Sequence, residues 1–373
     1  MDNLNLSNRY TNSVLWLIGF CVAIFILVYF KSLLKPLMLA MIIWYLVRGL
    51  NRLMGKIRIR NQQLPRWLRS LGSILVVVLL IYALDRIVTY NVNAIIDNYP
   101  RYEENFDKFL LGIGNAMGID DVAIRLEKWA GGLELRRVLT STVSEFGSFV
   151  ANLAVVIIYV VFLLYEEKLF PSKLNFLYKS QAKRRDALLV FERIDYSMRH
   201  YLTIKTNMSL LTGTLSYIIL LILGIDFAFL WALIIFLFNY IPYIGSLVAT
   251  LLPSIFAILQ FGSVWPGLWT LALVESVQIL VGTYIEPRIM GKSLNLSPFV
   301  VMIALAFWGF TWDVLGMFLS VPLTSMIVII MAQFPNTKNV AVLLSESGDI
   351  SDFLIEPPES EKEEMAEAME SIE

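Results

Sequence analysis

Apolar residues run along this chain in long blocks, at roughly 13 to 30, 36 to 47, 71 to 90, 147 to 165, 207 to 224, 227 to 260, 266 to 284 and 298 to 333. A bilayer core needs about 20 helical residues per crossing. Hydrocarbon also leaves backbone N–H and C=O groups unpartnered outside a helix or a closed barrel. The pattern therefore predicts an all-α polytopic membrane protein. Two blocks are interrupted. Residues 227 to 260 are broken by Asn239-Tyr-Ile-Pro-Tyr-Ile-Gly245, and residues 298 to 333 by Trp308-Gly-Phe-Thr-Trp-Asp313 and again near Gly316 and Pro322. Proline removes a donor and disfavours helix in the residue before it, and the arms on either side are short for crossings. The expected fold is about six full transmembrane helices plus two interrupted, re-entrant helical hairpins, eight to ten apolar segments in all, with a small helical external subdomain.

Charge gives the orientation. The loop from 48 to 69 carries Arg48, Arg52, Lys56, Arg58, Arg60, Arg66 and Arg69 with no acidic residue, which places it in the cytoplasm by the positive-inside rule. Residues 166 to 205 are basic as well, with Lys168, Lys173, Lys183, Arg184, Arg185 and Lys205 among their cations against five acids. Leu188, Phe191, Ile194, Met198 and Tyr201 recur there at helical spacing, as in an amphipathic surface helix. The intervening stretch, with Asp97, Glu103, Glu104 and Asp107 between apolar positions Tyr99, Tyr102, Phe106, Phe109 and Ile113, reads as helical and external. The domains expected are 1–90 (first transmembrane helices and basic loop), 91–146 (external helical segment), 147–205 (transmembrane helix and basic amphipathic segment), 206–335 (core with both hairpins) and 336–373 (acidic flexible cytoplasmic tail). Both termini fall in the cytoplasm. The first apolar run lacks a basic n-region and a small-residue cleavage site, so it reads as a retained helix.

Parity then gives the two breaks a relation. The first hairpin dips in from outside, the run 266 to 284 crosses, and the second hairpin enters from inside, which is the inverted-repeat logic of secondary transporters. Glu275 falls at the middle of that crossing, where a charge costs about 2.5–3.5 kcal/mol on insertion scales and is a functional candidate by default. Gln278 and Gly282 share its face at i+3 and i+7. Glu286, Arg288, Asn239 and Asp313 complete the polar groups expected along a substrate or ion pathway. Pro242, Gly245, Pro287, Gly291, Pro298, Gly309, Gly316 and Pro322 shape the broken backbone.

Composition closes off other classes. The chain is 57% hydrophobic and 16% charged, against about 25% charged in soluble domains. Its only cysteine is Cys21 and its only histidine His200. That excludes an intrachain disulfide and the usual zinc sites. No His-Glu-x-x-His or Walker A sequence occurs, so neither a zinc protease nor an ATP-hydrolysing chain is indicated. No enzyme activity, metal, cofactor or nucleic-acid partner is expected; membrane lipids are.

Asn239-Tyr-Ile-Pro-Tyr-Ile-Gly245, Ile285-Glu-Pro-Arg-Ile-Met-Gly291, Leu296-Ser-Pro298, Trp308-Gly309 and Gly316-Met-Phe-Leu-Ser-Val-Pro322 resemble, in order and spacing, the signature blocks of the autoinducer-2 exporter (AI-2E) family, the PerM-like permeases. The resemblance covers the chain from the first helix pair to about Gln333. It implies a bacterial inner-membrane protein, assembled as a homo-oligomer such as a pentamer, that exports a small polar metabolite or quorum signal. Some relatives are described as cation/proton antiporters, so sodium (or lithium)/proton antiport is the alternative, with Glu275 and Asp313 as its carboxylates. A membrane scaffold or pore without active transport is the third reading. One departure stands out: Asp313 occupies a position where the family pattern usually has glycine.

Overall fold

The computed structural model describes residues 14–15, 18–19, 21–56, 58–59, 62–63, 65–117, 153–290 and 295–354. Helix α1 (Lys31–Gly55) follows helical residues 21–29. A two-residue β-ribbon, Arg58–Ile59 against Gln62–Gln63, leads into α2 (Arg66–Asp97), and α3 (Tyr99–Met117) follows at once. Then come α4 (Leu153–Leu177), the long α5 (Gln181–Ile222), α6 (Ala228–Phe238), α7 (Ile244–Phe261), α8 (Val264–Ile279), α9 (Pro298–Ala332) and α10 (Pro335–Leu344). Among the described residues, six helical segments are long and apolar enough to cross a membrane. The large apolar side chains that α2 and α4 leave exposed, such as Leu75, Leu79, Ile158 and Phe162, suit a lipid surface.

Two packed groups organise the bundle, and Trp308, Trp312 and Leu319 of α9 pack on Leu34, Met38 and Ile42 of α1. Ala40, Ile43 and Val47 recur at i, i+3 and i+7 on α1 and bury against Val77 of α2 and Val156 and Val160 of α4. The second group is built on α5. Its far end, at Leu220, packs with Ile235, Ala249, Phe256 and Val274 from α6, α7 and α8 and with Tyr102 of α3. Its middle, at Tyr201, packs with Val328, Ile329 and Ala332 of α9 and Ala341 of α10. The helical spacing read for the external stretch is visible in α3, where Tyr102 and Leu110 are buried. The Tyr102 hydroxyl donates to Asp226 at 3.1 Å, and burial, with the Asp226 carboxylate beside it, pushes the phenol up to about 12.

Helix α9 is not a single rod. Trp312 (φ −132°, ψ 21°) and Asp313 (φ 56°, ψ −141°) are non-helical. Trp308 Nε1 donates to Thr324 Oγ1 at 3.1 Å, although residues that far apart in a straight helix are separated by about 24 Å. The chain therefore doubles back at Trp312–Asp313. Together, α6 and α7 form the other hairpin. Its base lies at the Leu220 end of α5, where Gln260 bonds the Asp226 and Gly224 backbone and Asn105 of α3 bonds the Gln260 carbonyl. The base of the α9 hairpin lies at the Tyr201 end. Nineteen residues of α5, about 28 Å, separate the two bases, so the hairpins enter the bundle from opposite ends.

Four sequence boundaries shift: the one at 90/91 falls inside α2, the one at 205/206 falls inside α5, and two more change the reading of a loop and a tail. Residues 48–55 belong to α1 rather than to a loop, and Arg48 pairs with Asp195 (2.7 Å) on α5 and Glu167 (3.0 Å) on α4. Asp195 also holds Arg199 (2.7 Å), and Trp44 donates to Glu167. This paired cluster satisfies charges that would be costly alone. The stretch from 336, expected to be a flexible tail, begins with α10, and Ile350 and Phe353 are buried beside Val328 and Ile329. Charged residues are sparse there before the acidic run, and apolar Ala341, Val342, Ile350 and Phe353 give the segment a face to pack. The acidic run itself lies outside the described residues.

Candidate functional site

Along α5, Tyr201, Lys205, Ser209, Thr212 and Ser216 are all buried. Their spacing of three or four residues makes one buried polar stripe along the second half of the helix. At its upper end the Lys205 ammonium meets the Glu286 carboxylate at 2.5 Å. Only 10% and 13% of the two side chains is exposed, so each ion depends on the other for compensation.

The position of Glu286 follows from its neighbour. Pro287 has no N–H for the Thr283 carbonyl four residues back, and its ring would collide with that carbonyl. Helix α8 responds by opening into a π-turn over Leu280–Ile285 before an α-helical turn, Glu286–Met290, resumes. Such a turn re-aims the residues after it and recurs at functional sites. Here it brings Glu286 to Lys205. Around the pair lies a cavity of about 220 Å³ lined by Tyr201, Lys205, Glu286, Pro242, Asn295 and Glu346 together with apolar Met290, Leu296, Val301 and Val321.

Pro242 belongs to the tip of the first hairpin. Asn239 donates to Ser209 (3.0 Å), the Tyr240 hydroxyl donates to Thr206 (2.7 Å), and the Tyr240 ring stacks on Phe318 at 4.4 Å. Tyr243 adopts φ 60°, ψ −61°, with Ile244 N bonding Pro242 O at 2.6 Å, the uncommon and strained form of γ-turn. Two residues on, a Cβ at Gly245 would sit 1.9 Å from the Phe238 carbonyl oxygen. The second hairpin repeats the device: Asp313 is at positive φ, and a Cβ at Gly316 would sit 1.8 Å from the Trp308 carbonyl oxygen. In each case a strained residue reverses the chain, and a glycine then lets the returning helix press on the last turn of the outgoing one.

The second tip lies at the other end of α1. Asp313 forms an ion pair with Lys35, and Trp312 Nε1 donates to Leu27 O. Of the other residues expected along a pathway, Glu286 lines the cavity, and Asn239 is held at Ser209, one turn along α5 from Lys205. Glu275 is half-buried on α8 and precedes Glu286 by eleven residues, or about 16 Å of helix. Gln278 is buried with its amide nitrogen unpartnered. Arg288 is exposed. Gly309 packs against the Met317 side chain, Pro298 opens α9, and Pro322 is buried within its second arm; Gly291 lies outside the described residues. Lys205 and Tyr201 are read from the sequence only as parts of a basic amphipathic segment, and Asn295 and Glu346 are not among the expected pathway residues. The Tyr201–Lys205–Ser209 stripe running into an apolar helix was the signal that could have found the first two. No cluster of three or more His, Cys, Asp or Glu among the described residues could hold a metal ion.

A family model described as AI-2E family transporter matches residues 14–336. The chain belongs to the AI-2E transporter family. It is 30% identical over 297 residues to the AI-2 transport protein TqsA of Escherichia coli (strain K12), covering 76% of this chain and 84% of TqsA. It is 28% identical over 328 residues to YhhT of the same organism, 87% of each chain, and 26% identical over 322 residues to YueF of Bacillus subtilis (strain 168), covering 81% and 84%. The signature blocks of this AI-2E transporter coincide with its structural breaks: the first hairpin tip, the π-turn with Glu286, and the second hairpin.

Proposed function

We propose that this transporter is a secondary exporter of a small polar metabolite of the autoinducer-2 kind across the bacterial inner membrane, and that the Lys205–Glu286 cavity is its substrate site. The buried ion pair facing a cavity beside a hairpin tip carries the reading. A hydroxylated, uncharged molecule can accept from the ammonium and donate to the carboxylate without separating two buried charges. The volume of about 220 Å³, roughly seven waters' share of liquid, suits a single furanose-sized ring. Arg48 of the first basic segment meets Asp195 of the second on α5, ten residues before Lys205; by the positive-inside rule this reading puts the cavity on the cytoplasmic side. Export would begin there and continue along Ser209, Thr212 and Ser216.

Everted membrane vesicles containing the protein test this. Autoinducer-2 should accumulate inside them above vesicles lacking the protein, and Glu286→Gln should lower the initial rate at least tenfold. Equal accumulation with and without the protein, or unchanged rates in both Glu286→Gln and Lys205→Gln, would refute the proposal.

A further inference from the structure

The family match ends at residue 336, yet the cavity wall continues beyond it. After α10 the chain turns at Ser345 and runs antiparallel to residues 295–297, with Leu296 opposite Ser345. Ser297 N bonds Leu344 O at 3.1 Å and Glu346 N bonds Asn295 O at 3.2 Å. The Asn295 side-chain amide donates to Asp349 O. Asn295 is buried at φ +39°, a backbone region that Asn, Asp and Gly tolerate better than other residues. Past this clasp, Ile350 and Phe353 are buried, and Gln333 Nε2 holds Phe353 O at 2.6 Å. Between the two anchors, residues 346–349 are exposed, Gly348 takes φ +77°, and Glu346 lines the cavity.

The strand is anchored at both ends by buried residues, Ser345 and Ile350, and is exposed between them. Its clasp consists of two backbone bonds and one side-chain bond, all on Asn295 or its two successors. We propose that residues 345–350 form a lid over the Lys205–Glu286 cavity, that Asn295 is its latch, and that Glu346 is the carboxylate an incoming molecule passes. The proposal rests on the cavity being the substrate site, but opening of the lid is measurable without any substrate.

The test uses the full-length chain in a Cys21→Ser background. Met290→Cys places a reporter thiol in the cavity wall, and a charged, membrane-impermeant methanethiosulfonate is the probe, applied in everted vesicles. Asn295→Asp keeps the backbone preference but removes the amide donor, and it should label at least tenfold faster than the reporter alone. An unchanged rate, in protein that elutes as the parent does from a sizing column, overturns the lid. The converse variant is Leu296→Cys/Ser345→Cys in the same Cys21→Ser background. The flanking bonds make this a non-hydrogen-bonded antiparallel pair, whose Cα atoms lie about 4.5 Å apart, within disulfide range. Oxidised, it should carry autoinducer-2 at less than a tenth of its reduced rate, with full recovery on reduction. Equal rates in the two forms overturn the gate. If the unmodified protein carries no autoinducer-2, the substrate reading fails, and the labelling rate alone decides the lid.

Discussion

Replacing Asp313 by glycine should make this protein more stable. Asp313 sits at φ 56°, ψ −141°, at the edge of a region that is essentially glycine-only and costs about 1–3 kcal/mol for other residues. Glycine removes that strain. It also removes the ion pair with Lys35, whose partners are 32% and 65% exposed, and such a pair is worth about 0–1 kcal/mol. Extra freedom in the unfolded chain takes back about 0.4–1 kcal/mol more. The net expectation for Asp313→Gly is a gain of about 1 kcal/mol. Asp313→Ala keeps the strain and loses the pair, so it should fall about 0.5 kcal/mol below the parent. The order of the two variants is the decisive quantity, because inside an ordinary helix glycine is about 1 kcal/mol worse than alanine. Unfolding in mixed detergent micelles, followed by circular dichroism, gives both differences. Asp313→Gly at or below Asp313→Ala would show that the reversal at Trp312–Asp313 is not strained in the way described.

Gly245→Ala and Gly316→Ala drive a methyl to within 1.9 and 1.8 Å of a backbone oxygen and should each cost at least about 3 kcal/mol or abolish folding. Gly49→Ala, with nothing within 4 Å, should be tolerated in the same expression and sizing assay. Lys205→Gln strands the Glu286 carboxylate and should destabilise by about 3–5 kcal/mol, while Lys205→Gln/Glu286→Gln should lose less, because no unpaired buried charge remains. A double-mutant cycle in chemical denaturation reads the difference. The Tyr102 phenol, raised from its ordinary 10 to about 12, contributes stability that is complete below pH 10 and lost as pH rises towards 12. Tyr102→Phe should flatten that part of the stability profile.

How far the sequence carried depended on the kind of signal. Helix class and the two breaks were legible because proline, glycine and apolar run length act locally. The opposite directions of the hairpins followed from counting crossings. The site was half legible. Glu286 stood out through its Pro287 neighbour, but Lys205, eighty-one residues earlier, looked like one more cation in a basic segment, since only tertiary packing buries it against a carboxylate. Glu275 attracted notice as a mid-helix charge, yet it does not line the cavity and stands about 16 Å of helix before Glu286. Asn295 and Glu346 gave no local sign, because their roles arise from a strand pairing between distant segments. Asp313 was visible as a departure from a glycine pattern. The structure supplies the reason in its positive φ and the purpose in Lys35.

The length of α5 bears on transmembrane voltage. Its 42 residues make a rod of about 63 Å, twice the roughly 30 Å of hydrocarbon, and Lys205 stands where its polar half gives way to its apolar half. On the proposed reading, a molecule held beside Lys205 would have traversed little of the electric field, which falls mainly across hydrocarbon. Occupancy of that position should respond weakly to membrane potential even for an ion. The later passage towards Leu220 would experience nearly all of it, about 2.3 kcal/mol per charge for each 100 mV.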